Sequence, residues 1–274
     1  MASDKLRLDQ LLVLKGYYPS REQSKRVIMA GLVYCGDKRL DKPGLKLSQD
    51  TVITVKDTSY SYVSRGGQKL EKGLKTFSVS VEDRIVADIG ASTGGFTDCL
   101  LTHGAKHVYA IDVGYGQLDW KLRQEKRVTV LEKTNIRYVS AELFNPCPDM
   151  ATIDVSFISL KLVLPKMEEI IKHPRDIIML IKPQFEAERH QVGKKGVVKN
   201  PETHIQVLTK ILAFAQENFN YFIGGLTYSP ITGPEGNIEF LAHITKCSKN
   251  LEENLSIDEM VDTVVDEAHS HLNT

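Results

Sequence analysis

The chain has 274 residues, 42% hydrophobic and 26% charged, with 35 Lys+Arg balanced by 35 Asp+Glu. These values suit a folded domain with a smaller companion and exclude disordered or collagen-like classes. No run approaches the ~18 apolar residues of a membrane span and residues 1–8 lack a signal-peptide core, so the expected compartment is the cytoplasm, with no membrane partner.

The zero net charge conceals an asymmetry. Residues 1–58 carry 11 Lys+Arg against 7 Asp+Glu, whereas residues 250–274 carry 7 acids and no Lys or Arg, leaving a body of +7 without that tail. Such an excess suits a polyanionic partner but does not identify one. Cys35, Cys99, Cys147 and Cys247 are widely separated and form no C-x-x-C pair, so neither a zinc knuckle nor a disulfide framework is indicated. No feature indicates an oligomeric state.

Leu6, Leu8, Leu11, Leu12 and Leu14 predict a short amphipathic helix ended by Gly16, and Ser20 caps a second one. Leu32–Tyr34 and Thr51–Val55 read as strands around a turn-rich stretch, 36–49. The result is a compact α+β unit, 1–58, whose Arg21, Lys25, Arg26, Lys38 and Arg39 can bracket phosphates. The segments RLDQLL and SREQSKRVIMAGLVYCGDKRL resemble the small RNA-binding domain of ribosomal protein S-four, pseudouridine synthases and tyrosyl-tRNA synthetases. That resemblance implies a face that grips structured RNA by backbone and shape.

Residues 59–67 read as a linker, a short helix follows from Gln68 to Thr76, and a second domain occupies 68–249. Apolar strands then alternate with helical stretches: IVADIG, HVYAID, VTVLE, MATIDVSF and IIMLIKP, closed by YFIGGLTYSPI and IEFLAHIT as a terminal antiparallel pair. This is the pattern of an α/β, doubly wound, Rossmann-like sheet. Residues 250–274 predict an acidic amphipathic surface helix, with Ser256 and Glu259 at capping-box spacing.

Asp88-Ile89-Gly90-Ala91-Ser92-Thr93-Gly94-Gly95 lies between a strand and a helix, and Asp112 ends the next strand. Glycines allow a sharp turn and close ligand approach, while an acid at that distance accepts hydrogen bonds from ribose hydroxyls. The spacing departs from G-x-G-x-x-G and no G-K-[ST] follows, so adenosine without pyrophosphate fits best. The expected cofactor contacts are Asp88, Gly90, Ser92, Gly94, Gly95 and Asp112. These residues resemble motifs of S-adenosylmethionine methyltransferases.

Together with SRGGQKL, DVSFISL, IKPQFE and GPEGNIEF, and with the N-terminal unit, they resemble the TlyA family of ribosomal RNA 2′-O-methyltransferases, often called haemolysins, with an FtsJ-like catalytic domain. The resemblance implies methylation of a cytidine ribose in ribosomal RNA or ribosomal subunits, with S-adenosylmethionine as cofactor.

A ribose 2′-hydroxyl is a weak acid, so the reaction needs in-line positioning and a proton acceptor, a role a lysine fills when its pKa is lowered. Lys69 precedes the sheet, Asp154 and Lys182 end successive core strands, and Glu239 lies on a late strand. The first three can converge at the carboxyl edge. By resemblance the four match the K-D-K-E set of 2′-O-methyltransferases, with Lys182 as base, Asp154 and Glu239 orienting the lysines, and Lys69 placing the hydroxyl. Arg65, beside Lys69, joins the expected RNA contacts.

Cys147 precedes the strand of Asp154, where a base-methylating nucleophile would follow it, and Asp154-Val155-Ser156-Phe157 lacks the prolines of amino-group methylases. His190 and His204 flank a basic loop, 193–199, with no partner at metal-ligand spacing, so the loop reads as mobile or RNA-facing and no metal is expected. Two other classes remain. A non-catalytic ribosome-assembly factor would shed the lysine–carboxylate set, and a membrane-active haemolysin would need an inserting segment where this chain has an acidic helix.

Overall fold

The structure is a computed structural model describing residues 5–18, 20–29, 31–36, 38–55, 62–172, 175–233, 235–247 and 256–272. The chain forms two compact units, Met1–Ser59 and Tyr60–Thr274.

The first unit contains β1 (Lys5–Arg7), α1 (Leu8–Leu14), α2 (Arg21–Met29), β2 (Val33–Cys35), β3 (Lys38–Arg39), β4 (Lys46–Ser48) and β5 (Thr54–Val55). Leu8, Leu11 and Leu12 recur at helical spacing and meet Ile28, Val33, Leu40 and Ile53 in its core. Ser20 Oγ accepts the Gln23 N–H at 3.3 Å, as a capping residue should. Two features differ from expectation. Leu6 pairs with Leu47 in an antiparallel ladder instead of opening α1, and the stretch read as turns supplies β3 and β4. Strands of two or three residues are too short to show a period in sequence.

Asp9 is fully buried, with Arg7 Nε and Arg21 Nη2 each 3.0 Å from its carboxylate. Burial opposes its ionisation, but the two arginine hydrogen bonds prevail and hold the carboxyl below its usual range. Arg21, expected at RNA, therefore also braces the fold.

The second unit contains α3 (Gly66–Thr76), β6 (Ile85–Ile89), α4 (Gly95–Thr102), β7 (His107–Ile111), α5 (Trp120–Arg123), β8 (Val128–Leu131), β9 (Met150–Ile153), α6 (Leu164–Ile170), β10 (Asp176–Ile181), α7 (Pro183–Glu186), α8 (Pro201–Phe219), β11 (Phe222–Tyr228), β12 (Phe240–Thr245) and α9 (Ile257–Leu272). Its sheet runs β11-β12-β10-β9-β6-β7-β8. Strands β6 to β10 are mutually parallel, and β12 is antiparallel to both β10 and β11. The strand order reverses between β6 and β9, so the crevice beyond their carboxyl ends is where such a sheet binds ligands.

Helix α3 begins two residues earlier than the sequence suggested. The stretch before it packs within this unit, where Tyr62 is buried and the Val63 N–H donates to Asp98 Oδ2 at 2.8 Å.

The C-terminal helix departs most from expectation. Its capping box forms, with Ser256 N–H donating to Glu259 Oε2 at 3.0 Å and Glu259 N–H to Ser256 Oγ at 3.3 Å. Yet α9 is part of the main core: Val261, Val264, Val265 and Ala268 are buried with Ile211, Leu212, Ala215 and Tyr221, while Asp258, Asp262, Asp266 and Glu267 face outward. His269 Nε2 lies 2.9 Å from Nδ1 of buried His204 on α8. Burial, with His269 beside it, pushes the His204 imidazole down to about 4, so this junction is uncharged near neutrality.

This docking gives a test by chemical denaturation. Val265→Ala should lower unfolding free energy by about 2 kcal/mol through lost burial and a residual cavity, whereas Asp262→Ala on the opposite face should change it by less than about 0.5 kcal/mol. Equal effects would mean that α9 is not packed as described.

Candidate active site

Strand β6 ends at Ile89, and the chain turns at Gly90 with φ +86°. A Cβ at Gly90 would lie 2.4 Å from the Asp154 carbonyl oxygen, so only glycine lets this loop close against the end of β9. The turn continues through Ser92 (φ +48°) to Gly94 (φ +96°), which starts α4. The Ser92 and Gly114 N–H groups donate to Asp112 Oδ2 and Oδ1 at 2.8 and 2.7 Å, fixing the carboxylate beyond β7. Each oxygen keeps a further lone pair for a ligand hydroxyl.

Gly90, Ser92, Asp112, Gln117, Asn135 and Asp154 line a recess of about 710 Å³, within the range of small-molecule sites. A second recess of about 240 Å³ shares Gly90, Ser92 and Asp154 with the first and extends past Lys69, Arg65, Thr93 and Thr232. Asp154 therefore stands where the two meet.

Two lysine–carboxylate pairs meet at this junction, through Asp154 and Lys69, which line it; Lys182 and Glu239 line neither recess and stand behind these partners. Lys182, directly after β10, has Nζ 2.6 Å from Asp154 Oδ1 and donates to Ser156 Oγ at 3.0 Å. Lys69, in the first turn of α3, donates to Glu239 Oε2 at 2.5 Å, with its side chain 11% exposed and that of Glu239 1%. Glu239 reaches the site because β12 is antiparallel to β10: Phe240 pairs with Ile181, so the start of β12 lies at the end of β10. Sequence spacing had accounted for three of the four residues, and the reversed strand supplies the fourth.

Two of the expected cofactor contacts line neither recess. Asp88 is fully buried and lines neither recess; its oxygens accept from Thr97 Oγ1 at 2.6 Å and Thr152 Oγ1 at 3.0 Å, tying α4 to β9. Gly94 also lines neither, since its missing side chain makes room for Leu122. Gly90 and Ser92 line both recesses, Asp112 the larger and Gly95 the smaller. Lys25, Lys38, Arg39 and Arg65 are exposed, Arg39 lying 4.0 Å from Asp41, and the side chain of Arg26 lies outside the described residues. Cys147 lines no recess; its Sγ donates to the Ile170 carbonyl at 3.3 Å.

Sequence reading missed two residues. Phe157, 90% exposed with φ +63°, stands on the rim of the larger recess with its ring 4.9 Å from that of Phe185. Glu186 accepts Ser159 Oγ at 2.6 Å and the Leu160 N–H at 2.7 Å, clamping the loop after β10 to the loop after β9. The aromatic two residues beyond Asp154-Val155 was a usable signal for Phe157. Glu186 offered none, because its role exists only once the two loops meet.

Comparison with known proteins matches residues 62–246 to the FtsJ-like methyltransferase family and residues 6–53 to the S4 domain. YqxC of Bacillus subtilis (strain 168), provisionally named an rRNA methyltransferase, is 52% identical over 99% of this chain and 97% of its own. The 16S/23S rRNA (cytidine-2′-O)-methyltransferase TlyA of Mycobacterium tuberculosis is 43% identical over 85% of this chain and 87% of its own. A solved structure from Streptococcus thermophilus, provisionally named a hemolysin, superposes with a TM-score of 0.77 at 46% identity, covering 99% of this chain and 98% of that one.

Asp88 yields a pH test. Burial, opposed by the threonine hydrogen bonds and assisted by nearby Asp154, pushes its carboxyl up to about 7 from 3.8. A raised folded-state value means that the contribution is fully present below the unfolded value and is lost as pH rises through the folded one. Thermal melts should therefore show the stability of Asp88→Asn relative to the parent increasing from pH 4 to pH 7 and levelling above. A difference independent of pH would contradict this.

Proposed function

Because the chain belongs to the FtsJ-like methyltransferase family and carries an S4 domain ahead of the catalytic one, we propose that it methylates the 2′-hydroxyl of a cytidine ribose in ribosomal RNA, with S-adenosylmethionine as methyl donor. The observation that carries this reading is the pairing of Lys182 with Asp154 and of Lys69 with Glu239 around the junction of two recesses. The Mycobacterium tuberculosis relative is named for this same activity. The protein acts in the cytoplasm on ribosomal RNA or ribosomal subunits.

The larger recess suits the cofactor. Its volume fits a nucleoside-sized ligand, Asp112 faces it with lone pairs to spare for ribose hydroxyls, and Gly90 leaves the backbone bare. When bound, S-adenosylmethionine supplies an electrophilic methyl group.

The chain's own residues then have three tasks. Lys182 takes the proton of the attacking hydroxyl, and Asp154, 2.6 Å from its Nζ, orients the side chain and stabilises the ammonium that forms. Lys69, held by Glu239, donates to the hydroxyl oxygen and fixes its direction of attack. Arg65 at the recess and Lys25, Lys38 and Arg39 on the N-terminal unit contact the phosphate backbone.

Two measurements test this. With unmodified ribosomal RNA and labelled S-adenosylmethionine, nucleoside analysis should yield 2′-O-methylcytidine. Lys182→Ala should lower turnover by ~100-fold or more while cofactor affinity changes little, and Lys182→Arg should not restore it because a guanidinium keeps its proton. A base-methylated product would sink the reading. Asp112→Ala should weaken cofactor binding by about 1–3 kcal/mol on calorimetry; unchanged affinity in a folded variant would remove Asp112 from the site.

A further inference from the structure

The loop between α7 and α8 has no part in the reaction above. Between Glu188 and Glu202 the chain has no acidic residue and four strong cations, Arg189, Lys194, Lys195 and Lys199. Lys194, Lys195 and Lys199 are all exposed. A charged surface loop of this kind is ordinarily mobile, its like charges spread by solvent and motion.

This one is held in place. The Gly193 N–H donates to the Val197 carbonyl at 3.0 Å and the Gly196 N–H to the Gly193 carbonyl at 2.8 Å, closing a tight turn that carries the two adjacent lysines at its tip. Asn237, 3% exposed, holds the turn from beneath: Nδ2 donates to the Gly196 carbonyl at 2.9 Å and Oδ1 accepts the Val198 N–H at 3.0 Å. Buried Val198 is also anchored through its carbonyl, 3.2 Å from His204 Nε2.

Asn237 belongs to the segment that forms one wall of the smaller recess. Its carbonyl accepts the Gly233 N–H at 2.8 Å, Ile231, Thr232 and Gly233 line the recess, and Glu239 two residues on pairs with Lys69. A buried amide thus sets the lysine-bearing turn in fixed register with the wall of the recess. Fixing adjacent cations on a rigid turn raises their mutual repulsion, which an anion of regular, closely spaced charge relieves.

We propose that the 193–199 loop is a phosphate-gripping arm that holds the RNA backbone flanking the target nucleotide. This rests on the methyltransferase reading and adds to it a second backbone contact, besides Arg65, outside the N-terminal unit. Its lysines act on phosphates as point charges, so its contribution is to affinity and register more than to sequence choice.

The test uses the full chain and in vitro transcribed ribosomal RNA, with dissociation constants measured across a KCl series. Lys194→Ala/Lys195→Ala should bind on the order of 10-fold more weakly at physiological salt, and the slope of log affinity against log salt should fall by about 2, while calorimetric S-adenosylmethionine affinity shows that the fold is intact. Lys106→Ala/Lys126→Ala removes the same charge at the amino-terminal edge of the sheet and should leave affinity near the parent value. Equal losses in both variants would reduce the effect to net charge and overturn the proposal. So would an unchanged RNA affinity in the loop variant, or a loss confined to binding of phosphatidylglycerol–phosphatidylcholine vesicles. Formation of 2′-O-methylcytidine by the parent protein is scored separately, so failure of the arm and failure of the methyltransferase reading are distinguishable.

Discussion

The catalytic unit is organised around one close approach, that of Gly90 to the carbonyl of Asp154. A side chain at Gly90 would lie 2.4 Å from that oxygen, so the loop after β6 and the end of β9 can be neighbours only with glycine there. That contact brings the glycine turn, and with it Asp112, beside Asp154. The two recesses share Gly90, Ser92 and Asp154 for the same reason. A side chain there would push the two recesses apart, and the in-line transfer proposed above requires them to be contiguous.

Polar groups around this contact are arranged in pairs. Lys182 with Asp154 and Lys69 with Glu239 place four ionisable side chains in partly or fully buried positions, where an unpaired charge would be costly. Asp88 beneath them has no cation and meets the cost differently, through two threonine hydroxyls and a carboxyl shifted toward neutrality. Glu186 adds a second tether between the loops that carry Lys182 and Asp154. The lysine–carboxylate geometry is thus supported from the sheet side and from the loop side.

Much of this was legible in the sequence where a local period or spacing exists. Most of the parallel strands are largely apolar runs, as a sheet covered on both faces requires, and the glycine turn is placed by its strand and helix. The convergence of Glu239 was not visible by spacing, because it depends on β12 running against β10. A strand-end acid beside glycines, such as Asp88, reads the same in sequence whether it faces a recess or the core, and its burial against Thr97 and Thr152 appears only in three dimensions. Likewise the acidic face of α9 is plain in sequence, but only the apolar surface of α8 and β11 explains why its other face is buried. The short strands of the first unit and the clamp at Glu186 lie below the length at which sequence carries a period.

That burial also has a consequence for the order of events on the ribosome. The core of the first unit lies wholly within residues 8–53 and can close while the rest is still being synthesised. The main core of the second unit includes Val261, Val264, Val265 and Ala268, so it stays open along α8 and β11 until the chain has emerged past residue 268. The first unit can therefore be folded while the second, more than three times as long, is still a nascent chain whose main core is complete only with α9.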